Sequence, residues 1–184
     1  GMAGMSRLSR AAIIAVGSEL LTPSRLDTNS LFITEQLNRV GVEVRYKSII
    51  GDDRGELAHA IARARERVDL VVCCGGLGPT DDDLTRVVVA DLLDRSLHED
   101  IAITDRIRAR FERRGLQMPE INRRQAMVPE GAVVLENTVG TAPGLWIDDG
   151  PRVIVLLPGP PRELQPMMSA LVEGRLPERC AGDP

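Results

Sequence analysis

Four loops concentrate the residues able to do chemistry. The most specific is Gly75-Gly76-Leu77-Gly78-Pro79-Thr80-Asp81-Asp82-Asp83-Leu84-Thr85, which directly follows the apolar stretch Leu70 to Cys74. Glycines reach positive φ and let backbone N–H groups approach an anion, and a helix starting behind them adds the positive end of its dipole. A phosphate fits such a loop. Three consecutive aspartates would repel it, so they make sense if a divalent cation bridges them to the phosphate, or if one or two turn outward as plain helix caps. The second loop, Gly17-Ser18-Glu19, follows the apolar run Ala11 to Val16 and leads to Asp27-Thr28-Asn29. Asp27 or Thr28 suits a helix N-cap. Glu19, a carboxylate just past an apolar strand, either meets solvent or faces a ligand crevice.

The third loop, Gly51-Asp52-Asp53, offers a metal-holding carboxylate or a cap for the helix after it. The fourth feature is a pair of glycine-proline turns, Gly140-Thr141-Ala142-Pro143-Gly144 and Leu157-Pro158-Gly159-Pro160-Pro161-Arg162-Glu163. Both are credible as structural turns alone. The second also repeats the strand-loop-helix geometry of an anion site. Other phosphate and hydrolytic chemistries are excluded. A Walker A loop needs Gly-Lys-Ser/Thr, and the one lysine is Lys47, in a strand-like stretch. The spacing does not match G-x-G-x-x-G. His59 and His98 have no second ligand nearby in sequence and are expected at the surface, which removes a Ser-His-Asp or zinc site.

The elements that position these loops alternate between two periods. Ala11 to Val16 reads as a buried strand, Leu31, Ile33, Leu37 and Val40 as a helix face ending at Gly41, and Val42, Val44 and Tyr46 as strand alternation. A helix with Leu57, Ile61, Ala64 and Val68 on one side follows, then the strand Leu70 to Cys74 and a helix around Leu84 to Leu93. Such alternation predicts a parallel sheet covered by helices on both faces, with ligands beyond the carboxyl ends of the strands. Residues 99 to 127 are expected to be largely helical with a turn at Gly115. Ala132 to Leu135, Leu145 to Ile147 and Val153 to Leu157 are expected as short strands, and Pro161 to about Val172 as a helix with proline in its first turn.

Composition narrows the partners. The 184 residues are 43% hydrophobic and 27% charged, with 23 basic against 27 acidic residues and a formal charge of −4. That describes one ordinary globular domain able to bury a core without crosslinks. The basic residues are scattered and aromatics are only 2%, so nucleic acid is a poor partner. The longest apolar run, Ala11 to Val16, is far short of a bilayer span or a signal core, so a membrane is not expected and a cytoplasmic location is. Cys73, Cys74 and Cys180 form an odd set in which two neighbours point to opposite faces of a strand, and no disulfide is expected. Residues 1–10 read as a tag remnant and flexible N-terminus, 11–176 as the domain, and 177–184, with Cys180, as a frayed tail.

The loops, taken in order, resemble the N-terminal domain of the CinA family, the competence/damage-inducible proteins, which shares its fold with the molybdopterin-binding MoaB, MogA and MoeA group. The matching pieces are Gly17 to Leu21, Asp27-Thr28-Asn29, Gly51-Asp52, Gly75 to Thr80 with Asp82-Asp83-Leu84-Thr85, Asn122 with Gln125-Ala126, Gly140 to Gly144, and Leu157 to Pro161 with Glu163. They cover residues from about 11 to 172. Ser18 stands where family members usually have Thr, and Pro23 where they have Gly.

The resemblance implies an α/β fold, a three-layer α/β/α sandwich with a mostly parallel central sheet and its site at the strand carboxyl ends. It implies metal-dependent hydrolysis of ADP-ribose to AMP and ribose 5-phosphate. Asp52 and Asp83, with Glu19, are then expected as catalytic, and Asp52 and Asp83 as holding a divalent metal ion. Gly17, Ser18, Asp27, Asn29, Gly75, Gly76, Gly78, Thr80, Asp82, Thr85, Asn122, Gly140, Thr141, Pro143, Gly144, Pro158, Gly159 and Pro160 are expected around the substrate. Family members often carry a second domain that deamidates nicotinamide mononucleotide, which this sequence does not include. Two alternatives use the same loops: binding of molybdopterin or its adenylylated form for cofactor assembly, and a non-catalytic nucleotide-binding module. Self-association, with a dimer favoured, is also implied.

Overall fold

The computed structural model describes residues 7–180. Four parallel strands make most of the sheet: β1 (Arg10–Val16), β2 (Glu43–Ile50), β3 (Leu70–Cys74) and β8 (Arg152–Leu157). The order is β2-β1-β3-β8-β7-β6, completed by β7 (Gly144–Asp149) and β6 (Val133–Leu135). Only Gly150 and Pro151 join β7 to β8, too few residues for a crossover, so β7 runs antiparallel and β6 antiparallel to it.

Helices α1 (Asn29–Arg39), α2 (Arg54–Arg67) and α3 (Thr85–Leu92) supply the crossovers of the first half. Strands buried on both faces read as unbroken apolar runs, and the two faces separate by parity. Ala12, Ile14, Val16, Val71 and Cys73 pack with Leu57, Ile61 and Ala64 of α2 and with Val88 and Val89 of α3. Ala11, Ile13, Ala15, Val72 and Cys74 pack with Ile33 and Leu37 of α1 and with Leu164, Met168 and Leu171 of α5 (Pro161–Glu173). This is the three-layer α/β/α sandwich expected, with Cys73 and Cys74 on opposite faces.

The segment from 99 to 127 departs from its largely helical expectation. It holds α4 (Ile101–Glu112), then a 3-10 stretch at Glu120–Ala126, and is bracketed by β4 (Leu97–Glu99) and β5 (Met127–Pro129), which pair antiparallel as a separate ribbon. Gly115 ends α4, its φ of +72° left-handed and its N–H donating to the Glu112 carbonyl at 2.9 Å, and Pro119 directly precedes the 3-10 stretch. Strands of three residues are too short to show a period.

Both ends of the described chain also differ from expectation. Leu8 is fully buried and bridges in parallel to Cys180, with the Leu8 N–H donating to the Arg179 carbonyl at 2.9 Å. A sixth helix, α6 (Arg175–Arg179), carries Leu176 and Cys180 into the cluster around Trp146, and the Arg175 guanidinium lies 5.4 Å from the Trp146 ring centroid. Leu8 and Cys180, which fall in the segments expected to be flexible or frayed, thus pack into the core and help close one face of it. Residues 1–6 and 181–184 of those segments lie outside the described residues. Among the described residues no helix is long and apolar enough to cross a membrane.

Leu8→Ala therefore tests whether the N-terminal segment belongs to the fold. Removing a fully buried leucine side chain should lower the unfolding free energy by about 2–4 kcal/mol in a urea titration. A change near zero would show that the Leu8–Cys180 contact does not hold in solution.

Candidate functional site

At the carboxyl ends of β1, β3 and β8 the chain turns into three loops that enclose one cleft of about 540 Å³. Gly75 makes this convergence possible. Its φ of +102° is left-handed, its N–H donates to the Leu157 carbonyl at 2.9 Å, and a Cβ there would sit 2.2 Å from the Val16 carbonyl oxygen. Any side chain at 75 would push β1 and β3 apart. Thr85, fully buried at the start of α3, donates its hydroxyl to the Gly75 carbonyl at 2.8 Å and fixes the turn from beneath.

The residues expected to form the site divide by position. Glu19, Asp27, Asn29, Gly75, Gly76, Gly78, Asp83, Thr141, Pro158, Gly159 and Pro160 all line the cleft. Gly17, Ser18, Thr80, Thr85, Asn122, Gly140, Pro143 and Gly144 do not line it, and several of these support those that do. The Asn122 amide donates to Gln125, a lining residue, at 2.9 Å, and the Thr85 hydroxyl to the Gly75 carbonyl, whereas the Ser18 hydroxyl accepts the N–H of Asp52 at 2.9 Å. Asp52 and Asp82 are exposed and lie outside the lining.

The acids have distinct partners. Asp53, rather than Asp52, caps α2 by accepting the Glu56 N–H at 2.9 Å. Asp27 takes both the N–H and the hydroxyl of Ser30 and so closes the first turn of α1. Of the three consecutive aspartates none caps α3, contrary to expectation. Asp81 pairs with Arg124 at 2.6 Å, and Asp83 accepts the Thr80 N–H and hydroxyl at 2.9 and 2.8 Å, both on Oδ2. Asp83 thereby closes its own loop and keeps its carboxylate at the cleft. His59 and His98 are exposed, as expected. Among the described residues no three His, Cys, Asp or Glu side chains gather as a metal cage.

Two features point toward a ligand. Among the described residues the N–H groups of Gly76, Leu77 and Gly78 donate no hydrogen bond, which leaves three successive donors on the loop that walls the cleft. Asn29 donates its amide nitrogen to the Gly159 carbonyl at 2.7 Å, and that contact fixes the amide orientation. Its shielded oxygen then has no donor among the described residues. Cys74 also lines the cleft, but burial pushes its thiol up to about 12, with the Asp27 carboxylate acting in the same direction, so it holds its proton at neutral pH.

Two supporting residues, Arg86 and Asn137, were not singled out in the sequence, and a third, Glu163, was named only within the second glycine-proline turn and among the pieces matching the family. Arg86 is buried, donates to the Leu77 carbonyl at 3.0 Å and lies beside Asp83; burial pulls its guanidinium down to about 10 while Asp83 works the other way. Its signal was a charge next to the apolar run Val87-Val88-Val89. Asn137 is saturated: its nitrogen donates to the Ala142 carbonyl and to Glu163, both at 2.8 Å, and its oxygen accepts the N–H groups of Val139 and Gly140. Glu163, buried and lining the cleft, is held by that bond. It runs so close to Gly140 that a Cβ there would lie 1.8 Å from its Oε1. Nothing in the spacing of Asn137 and Glu163, 26 residues apart, announced that pair.

Residues 12–178 match the family described as probable molybdopterin binding domain. A CinA-like protein of Solibacter usitatus is 50% identical over 157 residues, 85% of this chain and 38% of its own length. A CinA-like protein of Deinococcus radiodurans is 43% identical over 171 residues, 91% of this chain and 42% of its own. The chain therefore spans well under half the length of these relatives. The crystal structure of CinA from Thermoplasma acidophilum superposes with a TM-score of 0.83 at 33% identity, covering 90% of this chain and 98% of that one. MoaB of Thermus thermophilus, at a TM-score of 0.60, 22% identity and coverage of 90% and 91%, shares the fold. With its strand-end cleft and its loops in this order, the chain belongs to the CinA family and carries its molybdopterin-binding-type domain.

Proposed function

We propose that the cleft binds a phosphate-bearing small molecule and that the domain hydrolyses the diphosphate of ADP-ribose, with water, to AMP and ribose 5-phosphate. The observation that carries this reading is that Glu19 and Asp83 open on the same cleft as the uncommitted N–H groups of Gly76, Leu77 and Gly78. Donors alone would serve simple binding. Carboxylates beside them weaken phosphate binding and are useful mainly to chemistry.

The carboxylates that line the cleft, Glu19, Asp27, Asp83 and Glu163, are the groups that could hold a divalent cation there, and Asp27 and Glu163 are already engaged by Ser30 and Asn137. A cage built from protein alone is not present among the described residues, and Asp52 is outside the lining, so the pairing of Asp52 with Asp83 is not the one the geometry favours. Hard cations such as magnesium are commonly held by one or two carboxylates with substrate oxygens completing the shell. Glu19 and Asp83 suit that role. When bound, such an ion supplies charge neutralisation at the phosphates and a more acidic water.

The chain's own residues do the rest. The glycine-loop N–H groups receive a phosphate and stabilise charge developing on its oxygens. Asn29 Oδ1, already oriented by Gly159, accepts an N–H or O–H of the ligand. Thr80 holds Asp83 in place, so its carboxylate meets the ligand without rotamer search. The match of residues 12–178 to a molybdopterin-binding family favours a second reading, in which the same loops hold a pterin phosphate without turnover.

Incubating the domain with ADP-ribose and a panel of divalent cations, with a chelator control, should release AMP and ribose 5-phosphate only when cation is present. No release with any cation would sink the hydrolase reading, and quenching of pterin fluorescence on titration would then support the second. Asp83→Asn should cut turnover by about a hundred-fold or more, whereas Asp52→Asn should cost less than about ten-fold. Because Asp83 also offsets the buried charge of Arg86, the first variant should melt at a somewhat lower temperature, and its rate is to be compared below that transition. Equal losses in the two variants would restore Asp52 to the centre of the site.

A further inference from the structure

Next to the cleft, and sharing Thr141 as part of its wall, is a smaller cavity of about 230 Å³ between α4 and the loop leading into β7. Arg106 and Arg110 of α4 and Arg113, its C-cap, line it, spaced four and three residues apart and therefore on one face of the helix and its closing turn. The apolar side chains of Ile103 and Ile107 form its floor and are themselves buried. Only one acid, Glu136, lines it. Three guanidiniums against one carboxylate is a local excess of positive charge in a chain whose net charge is −4.

Neighbouring arginines are mostly spoken for. Arg108 pairs with Asp105 at 3.1 Å, and Arg123 pairs with Glu99 and Glu120 at 3.1 and 2.6 Å. Among the described residues Arg106 and Arg113 have no ion pair. Arg110 is fixed differently, by donating to the Val139 carbonyl, which anchors one guanidinium at the mouth of the cavity. The hydroxyls of Thr138 and Thr141 line the same space and make no hydrogen bond among the described residues.

We propose that this cavity is a binding site for a phosphate dianion, free or as a phosphomonoester, separate from the strand-end cleft. Planar guanidiniums are the side chains best matched to phosphate oxygens, and a concave floor lets several converge on one anion where a flat surface would not. Two threonine hydroxyls supply neutral donors to the remaining oxygens. The site does not depend on what the cleft hydrolyses.

The test is a titration of the isotope-labelled domain by two-dimensional NMR with inorganic phosphate and, in parallel, with ribose 5-phosphate, each matched by sodium chloride of equal ionic strength. The amides of Thr138 and Gly140 report this cavity, and those of Gly76 and Gly78 report the cleft. Saturable shifts at Thr138 and Gly140 are expected, weakened at least about ten-fold in the double variant R106Q/R113Q, with the response at Gly76 and Gly78 unchanged. Tighter saturation by ribose 5-phosphate would assign the site to phosphomonoesters, and equal saturation to free phosphate. Shifts reproduced by sodium chloride, insensitive to the double variant, or confined to Gly76 and Gly78 would overturn the proposal and leave the three arginines as a solvated face of α4.

Discussion

Three parallel strands end so close together that the space of one methyl group decides whether the site exists. A carbonyl of β1, an N–H of the loop after β3 and a carbonyl of β8 meet around Gly75, and the glycine-proline turn after β8 passes with room for no more than van der Waals contact at Gly159. Parallel neighbours set this up, since β1, β3 and β8 all point the same way and deliver their loops to one edge. The cleft is thus a consequence of strand order together with a missing side chain. Its walls are backbone, which is why its chemistry is dominated by N–H groups and by the few carboxylates that reach in.

Backbone walls need fastening, and the fasteners are buried polar side chains whose hydrogen bonds are filled by the loops themselves. Thr85 ties Gly75, Arg86 ties Leu77, and Asn137 with Glu163 ties the turn before β7 to α5. Each is costly to bury alone and stabilising once paired. Asn29 breaks the pattern, being bonded through its nitrogen and orphaned on its oxygen, and it does so at the cleft. On the proposed reading, a shielded acceptor left open at the cleft is filled by a donor that arrives with the ligand.

Apolar periodicity made the sheet legible. Ala11 to Val16 and Leu70 to Cys74 had to be buried strands because each is apolar on both parities, and the helices between them follow from the crossover requirement. The glycine loop and Asp83 were legible because strand, glycines and helix start are contiguous. What local pattern could not carry was pairing at a distance. Asp52 and Asp53 are equivalent in sequence, yet the turn that lets Asp53 reach the Glu56 N–H leaves Asp52 outside the lining. Leu8 and Cys180 lie at opposite ends and are joined only by a bridge. The ribbon of β4 and β5 is too short for a period and exists because Glu99 pairs with Met127 across 28 residues.

On the proposed reading the cleft opposes its own ligand in part, and that opposition bears on how it would work. Free N–H groups on the glycine loop attract an anion, while Glu19 and Asp83 repel it from the same space. A phosphate arriving alone would sample both and bind weakly. By that reading a cation held by Glu19 and Asp83 would turn their repulsion of the phosphate into attraction and leave the N–H groups as they are, so cation and substrate would each improve the binding of the other by the same factor. The arginine cavity beyond Thr141 has no such conflict, since its one acid is outnumbered by three guanidiniums. Two neighbouring cavities with opposite electrostatic character, divided by a loop that Asn137 and Glu163 hold in place, would treat the same phosphate group differently: the basic one as a fixed counter-charge, the mixed one as a place where binding is conditional.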